Sequence, residues 1–303
     1  MKILYKPYSG RTPDRQYKDV LRKILADGVR TPAQSGIDTI TYMGLQMRFK
    51  VENGCPLITE RNLAPERKTV PTIWRQAIGE ITAFINGART LEQIQSYGCH
   101  WWRYFTLDKK CLKRGLDIGD NGPGSYGPSF HDFPMPDGSL CDQVAEVLEQ
   151  MKELPHLKTH VINPWIPYYT YRGEGKTQKV VVCPCHGWMH FRIMNGKLSL
   201  IMNQRSGDVP VGIPQNMVQY FALLLMFAQA LDLEPYEFIH NINDAHIYTD
   251  QMKNVEEILG RKARPFPKLI LNSLEKDVFK IRHTDFEIEE YDPHPAMKMA
   301  VTP

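Results

Sequence analysis

Two cysteines and a histidine lie within four residues at Cys183-Pro184-Cys185-His186, directly after three valines. Three chemistries use such residues. A zinc site wants four ligands, usually with a second cluster, and no other paired-cysteine segment exists in the chain. A redox pair prefers CxxC spacing, and Pro184 interrupts any strand here. Two buried structural thiols are the plain alternative. The third chemistry is a single nucleophile, which needs a positive neighbourhood to ionise at neutral pH. Such a neighbourhood is close: "NQRSGDVPVGIPQN", from Asn203 to Asn216, carries Arg205, Ser206 and Asp208 on what reads as a Gly/Pro-rich loop. An Arg beside a Ser suits an oxyanion or phosphate, although a turn with a surface Arg is equally plain.

Other polar residues allow two readings each. Asn216 stands where a long apolar helix should begin and would serve as its cap. His246 and Tyr248, two apart after Asp244, could donate to a hydroxyl or mark a helix start. Glu80 lies in "IGEITAF", where Ile78, Ile81 and Phe84 should face inward. A carboxylate near that face costs free energy unless it is paired or used. Burial would raise its pKa and suit it to proton transfer. If it faces solvent, it has no such role.

These residues need a scaffold. Apolar spacing predicts helices over 19–28, 72–86 (closed by Gly87), 91–105, 140–154, 216–231 and 246–260. Strand composition marks 37–51, 159–165, 179–183, 187–194, 197–204, 238–243, 268–271 and 278–288. Asn195-Gly196 predicts a two-residue hairpin turn. The stretch 62–71 reads as a surface loop, and 107–136, rich in Gly and Pro, as mostly loop. Residues 1–18 read as a loosely attached, flexible arm. With no repeat and no linker, the expectation is one α+β domain over 19–303, a mixed sheet packed with helices.

Bulk composition narrows the function. At 303 residues, 42% hydrophobic and 23% charged, the chain reads as a soluble globular protein. A net charge of +3 argues against a general nucleic-acid binder. The expectation is no nucleic-acid partner, no membrane association and a cytoplasmic location. Six scattered cysteines and no leader-like start favour reduced thiols.

Several pieces together resemble the thymidylate synthase family: "PCH" (184–186), "QRSGD" (204–208), "GIPQN" (212–216), "DAHIY" (244–248) and "YDPHPAMK" (291–298). They occur in that family's order and approximate spacing. "GLQMRF", "CPLITER" and "GEITAFINGA" extend the match toward the N-terminus. The resemblance implies transfer of a one-carbon unit from 5,10-methylenetetrahydrofolate to C5 of dUMP, with no metal. Cys185 would be the nucleophile that adds to C6, with His186 beside it and Arg205 favouring the thiolate. Glu80 would move protons around C4 and C5, and Tyr126 of "GSYG" would complete the catalytic group. Asn216 would read uracil by donating and accepting at once. Gln204, Arg205, Ser206, His246 and Tyr248 would hold the nucleotide. Asp208, Trp101, Trp102, Arg61, Gly212, Gln215 and Val301 would belong to the folate side, with the tail "KMAVTP" closing over it. The family also implies a homodimer, with basic residues crossing to the partner's site.

The chain departs from that family at charged positions. Gln34 of "AQSG" stands where the family carries Arg in a pattern like "DRTG". Lys158-Thr159 aligns with an Arg pair donated across the dimer to the phosphate. Lys binds phosphate without the planar fork of Arg, and Arg30 could compensate for Gln34. Gln215 replaces a customary Phe, and insertions occur around 62–70 and 107–119. The resemblance therefore leaves two reactions: hydride reduction to dTMP, or capture of the methylene by water to give a 5-hydroxymethyl uridine nucleotide.

Overall fold

In a computed structural model the structure describes residues 3–66 and 68–301. Its centre is a six-stranded sheet that runs, edge to edge, Val29–Thr31, Thr39–Lys50, Glu234–Tyr248, Lys197–Asp208, Trp188–Met194 and Val161–Ile162. Only the Lys197–Asp208 and Glu234–Tyr248 pair is parallel, so the sheet is mixed. The fold is the expected α+β class.

The helix Gly212–Ala230 fills the core. It is apolar nearly all round, as an interior helix must be, and is buried from Ile213 to Gln229 apart from Gln215. Phe227 stacks on Phe191 of the sheet at 4.5 Å. On its other side lies the helix Ile73–Ile85, buried from Ala77 onward and closed by Gly87 at φ 74°. These two helices and the sheet position the site.

Local signals held where the chain had to turn. Asn195 and Gly196 both take positive φ, 52° and 73°, and join Trp188–Met194 to Lys197–Asp208 as a tight hairpin. Gly44, at φ 78°, and Asn243 opposite it drop out of the pairing, but the register is the same on either side, so Thr39–Lys50 is one continuous strand.

Several expectations need correction. The Lys197 strand runs on through Asp208, so Arg205, Ser206 and Asp208 lie on a strand and not on a loop. The next helix starts at Gly212, which puts Asn216 in its second turn, where it caps nothing. The Glu234 strand reaches Tyr248, so His246 and Tyr248 are strand residues; the following helix is Met252–Gly260. Residues 179–183 pair with no strand: Val181 N–H donates to Asn121 and Lys179 N–H to Tyr169. The supposed loop 107–136 contains the short helices Asp108–Leu112 and Tyr126–His131. Of 278–288 only Phe286 onward is strand. The first helix begins at Gln16. Ahead of it, buried Arg11 donates to Lys6 and Phe266 carbonyls and pairs with Glu290. Tyr5 donates to Leu269. Residues of the expected arm thus make specific contacts with the body.

Among the described residues no helix is long and apolar enough to cross a membrane. All six cysteines are free thiols.

Candidate active site

Cys185 sits between the Tyr126–His131 helix and the Lys197–Asp208 strand, anchored by its own main chain. Its N–H donates to Tyr126 Oη at 2.7 Å. Its carbonyl accepts from Arg205 N at 2.6 Å and from Ser206 N at 3.4 Å. Gly187 permits the turn that follows. It lies at φ 97°, and a Cβ there would press on Phe130 and Tyr220 at 2.8 and 2.9 Å.

Arg205 reaches the thiol itself, with Nη2 3.2 Å from Cys185 Sγ and 3.4 Å from the Cys183 carbonyl. Burial pushes the Cys185 thiol above its ordinary pKa, while the Arg205 guanidinium pulls it back down. Burial prevails, so the resting sulfur holds its proton more firmly than the sequence suggested. Cys183 is likewise pushed up by burial, and its sulfur accepts from Gln178. Among the described residues no group of three or more His, Cys, Asp or Glu could hold a metal ion.

His186 is buried against Tyr126, 4.5 Å between ring centroids, and its Nδ1 meets Tyr220 Oη at 2.6 Å. Burial, with His240 nearby, holds its imidazole down at about 3, so it is neutral at physiological pH.

Glu80 lies at the buried face of its helix, and its carboxylate collects three donors. Trp101 and Trp102 indole N–H groups donate to Oε1 at 2.7 and 2.6 Å, and Gln219 Nε2 donates to Oε2 at 2.9 Å. Burial raises its pKa to about 7 against these three bonds. Trp102 is itself buried, packed edge-on to Phe84 and Tyr126, and Trp101 is half-buried. The pair therefore braces Glu80 directly.

A chain of amides continues from Glu80. Asn216 Nδ2 donates to Gln219 Oε1 at 2.8 Å, and Gln204 Nε2 donates to Asn216 Oδ1 at 3.1 Å. Gln204 Oε1 meets His240 Nε2 at 2.8 Å. An ionised carboxylate only accepts, so Glu80 dictates which way Gln219 points, and each later amide follows. Burial holds His240 near 3, neutral and able to donate from Nε2.

On the far side, Asp244 joins the sugar-side candidates. Ser206 Oγ donates to its Oδ2 at 3.3 Å, and His246 Nδ1 lies 3.2 Å from Oδ1. Tyr248 packs edge-on to His246 at 5.3 Å. Asp208 accepts from Val211 N–H at 3.1 Å and Gln251 Nε2 at 2.9 Å; burial raises it to about 6. Gln251 Nε2 also donates to Ala300 O at 3.1 Å, which ties the C-terminal segment to Asp208. Buried Arg61 donates to Pro210 O at 2.9 Å and keeps a buried Nε with no partner. Gly212 and Gln215 open the core helix, and Gln215 is half-buried without a side-chain partner among the described residues. Val301 is exposed, and Thr302 and Pro303 of the expected closing tail lie outside the described residues.

Two candidates stand apart. Arg30, on the edge strand, is exposed and pairs with Asp38 at 2.8 Å. Lys158 is exposed, with its carbonyl near His190 Nε2 at 3.0 Å. No hydrogen bond links either to Arg205 or Ser206 among the described residues.

The sequence reading missed Gln219, Tyr220, His240, Asp244 as a bridge, and Gln178. Gln219 and Tyr220 were hidden in an apolar helix, where only the contact with Glu80 or His186 gives them meaning. Asp244 lies one residue beyond the strand that composition marks over 238–243, so its bridging place on the strand carries no local signal.

One centre thus holds a thiol beside a guanidinium, a buried carboxyl that titrates near neutrality, and an amide fixed at both ends. It can add sulfur to an electron-poor carbon and move a proton close by. The family model for thymidylate synthase matches residues 15–303. The chain belongs to the thymidylate synthase family.

Proposed function

We propose that the protein transfers a one-carbon unit to C5 of dUMP and reduces it to the methyl group of dTMP. The observation that carries this reading is the convergence of Cys185, Arg205, Asn216 and Glu80 through direct and relayed hydrogen bonds. Family membership supports one-carbon transfer to a uracil nucleotide from methylenetetrahydrofolate.

Cys185 Sγ adds to C6 and opens the C5=C6 double bond, and the electron pair moves toward C5 and O4. Its raised pKa means the thiol loses its proton as substrate arrives, with the Arg205 charge favouring the thiolate. Asn216 keeps a free lone pair and a free N–H for the N3–H and O4 edge of uracil. Glu80, near its midpoint at neutral pH, gives or takes the proton at O4 and C5. Ser206, His246 and Tyr248 hold the sugar and phosphate. Methylenetetrahydrofolate supplies the carbon and the hydride. Asp208 offers a buried acceptor, and Arg61 an unpartnered buried N–H, beside the docked C-terminal segment; these fit a pterin, which has both donors and acceptors. The acting unit in this reading is a homodimer packed through its sheets.

A second reading, 5-hydroxymethylation, has one observation in its favour. The unpartnered amide of Gln215 can hold a water near the folate side. The test is to incubate dUMP, UMP and dCMP with methylenetetrahydrofolate and identify products by mass spectrometry. A methyl product with dihydrofolate supports the first reading, and a hydroxymethyl product with tetrahydrofolate replaces it. Cys185→Ser should abolish turnover while Cys183→Ser keeps most of it. Equal losses would remove the single-nucleophile assignment.

A further inference from the structure

Six cations surround one open cavity of about 620 Å³: Lys109, Lys110, Lys113, Arg114, Arg172 and Lys176. The volume is in the range of small-molecule sites. No carboxylate lines it. None of the six forms an ion pair among the described residues, whereas Arg30, Arg89, Arg261 and Arg264 each pair with a carboxylate. Like charges gathered without counter-charges repel one another. Arg114 also keeps a buried Nε with no partner. Burial and the neighbouring cations pull Lys110 and Arg114 below their ordinary pKa values, as expected where positive charge is crowded.

Hydrogen bonds relay from the cavity wall to the nucleophile. That wall includes Gln178, which accepts from Arg172 Nε at 2.8 Å and donates to Cys183 Sγ. The Cys183 carbonyl accepts from Arg205, the same guanidinium that reaches Cys185. Gln34, the residue standing in for an expected phosphate arginine, also lines it. Lys109, Lys110, Lys113 and Arg114 come from the 107–119 insertion. The chain therefore lacks cations at two of the expected positions, Gln34 and Thr159, and gathers six around the cavity that Gln34 lines.

We propose that this cavity is an anion site for the phosphate end of the nucleotide, with room and charge for more than one phosphate group. This rests on the reading of the Cys185 centre as a pyrimidine-nucleotide site. It makes a nucleoside diphosphate or triphosphate a better ligand than the monophosphate. Six uncompensated cations suit three or four negative charges better than two.

The experiment measures binding of dUMP, dUDP, dUTP, inorganic pyrophosphate, a polyglutamyl folate and a single-stranded oligonucleotide by calorimetry at low and moderate salt. It compares the wild type with a Lys109→Ala/Lys113→Ala/Lys176→Ala variant, whose three lysines are exposed and outside the catalytic group. The expected result is dUDP binding at least about tenfold tighter than dUMP, weakened by salt. Pyrophosphate should compete with it. The triple variant should lose that gain while melting at the same temperature. Equal affinities for dUMP and dUDP in both proteins would overturn the proposal. So would a lysine-dependent gain only with polyglutamyl folate or a single-stranded oligonucleotide. Release of tritium from C5 of dUMP, dUDP and dUTP, run alongside, separates the two readings. Release without any lysine-dependent phosphate effect removes the anion site alone. Lysine-dependent pyrophosphate binding without release from any uridine nucleotide supports the anion site and removes the catalytic reading.

Discussion

Gln219 decides more than its place in an apolar helix suggested. It donates to Glu80 and accepts from Asn216, so it passes the polarity of a carboxylate to the amide that would read the base. Uracil offers a donor at N3 and an acceptor at O4, and cytosine offers the reverse pair. Replacing Gln219 with Met keeps the length and removes both hydrogen bonds. The kcat/KM for dUMP should fall about tenfold to a hundredfold, the worth of bonds to a charged group, and discrimination against dCMP should narrow. Kinetics with both nucleotides decide it; an unchanged ratio would mean Gln219 only fills space. Glu80 was legible because a carboxylate among Ile78, Ile81 and Phe84 is costly unless used. Gln219 was not, since a glutamine carries no spacing signal and its partner is 139 positions away.

At the scale of elements, turns were read well and polar strand ends badly. Asn195-Gly196 demands positive φ at two successive residues, a local requirement visible in the chain. Gln204 to Asp208 lacks alternating apolar residues, yet pairing with Ser206↔Asp244 and Asp208↔His246 holds it extended. Tertiary pairing overrides composition there. The same pairing puts Asp208 next to Gln251, and Gln251 next to Ala300. That bridge ties the C-terminal segment to Asp208, which the proposed function puts on the folate side. Gln251→Ala should raise the KM for methylenetetrahydrofolate severalfold to about tenfold and lower kcat, with little change in dUMP affinity. Steady-state kinetics varying each substrate check it. A change confined to dUMP would contradict the bridge's assignment to the folate side.

For the whole molecule, buried carboxyls link the site to stability. Glu80 rises from 4.5 to about 7 and Asp208 from 3.8 to about 6 on folding. A group with a raised folded pKa binds its proton more tightly when folded. Its contribution is therefore complete below the unfolded pKa and is lost as pH climbs through the folded value. For Glu80 the loss is on the order of 3 kcal/mol between about pH 4.5 and 7. Denaturant titrations of wild type and Glu80→Gln should show a gap that shifts in the variant's favour as pH rises across that window. Parallel curves would mean Glu80 does not titrate there. In the same variant kcat should drop about a hundredfold or more, since proton transfer loses its group. A further consequence follows from the carbonyl of Cys185, which is clasped by the amides of Arg205 and Ser206. Every residue type but proline supplies that backbone N–H, so lineage change at 205 or 206 can retune charge and ligand choice without breaking the main-chain clasp. Location is inherited through the strand, and reactivity is left free to drift.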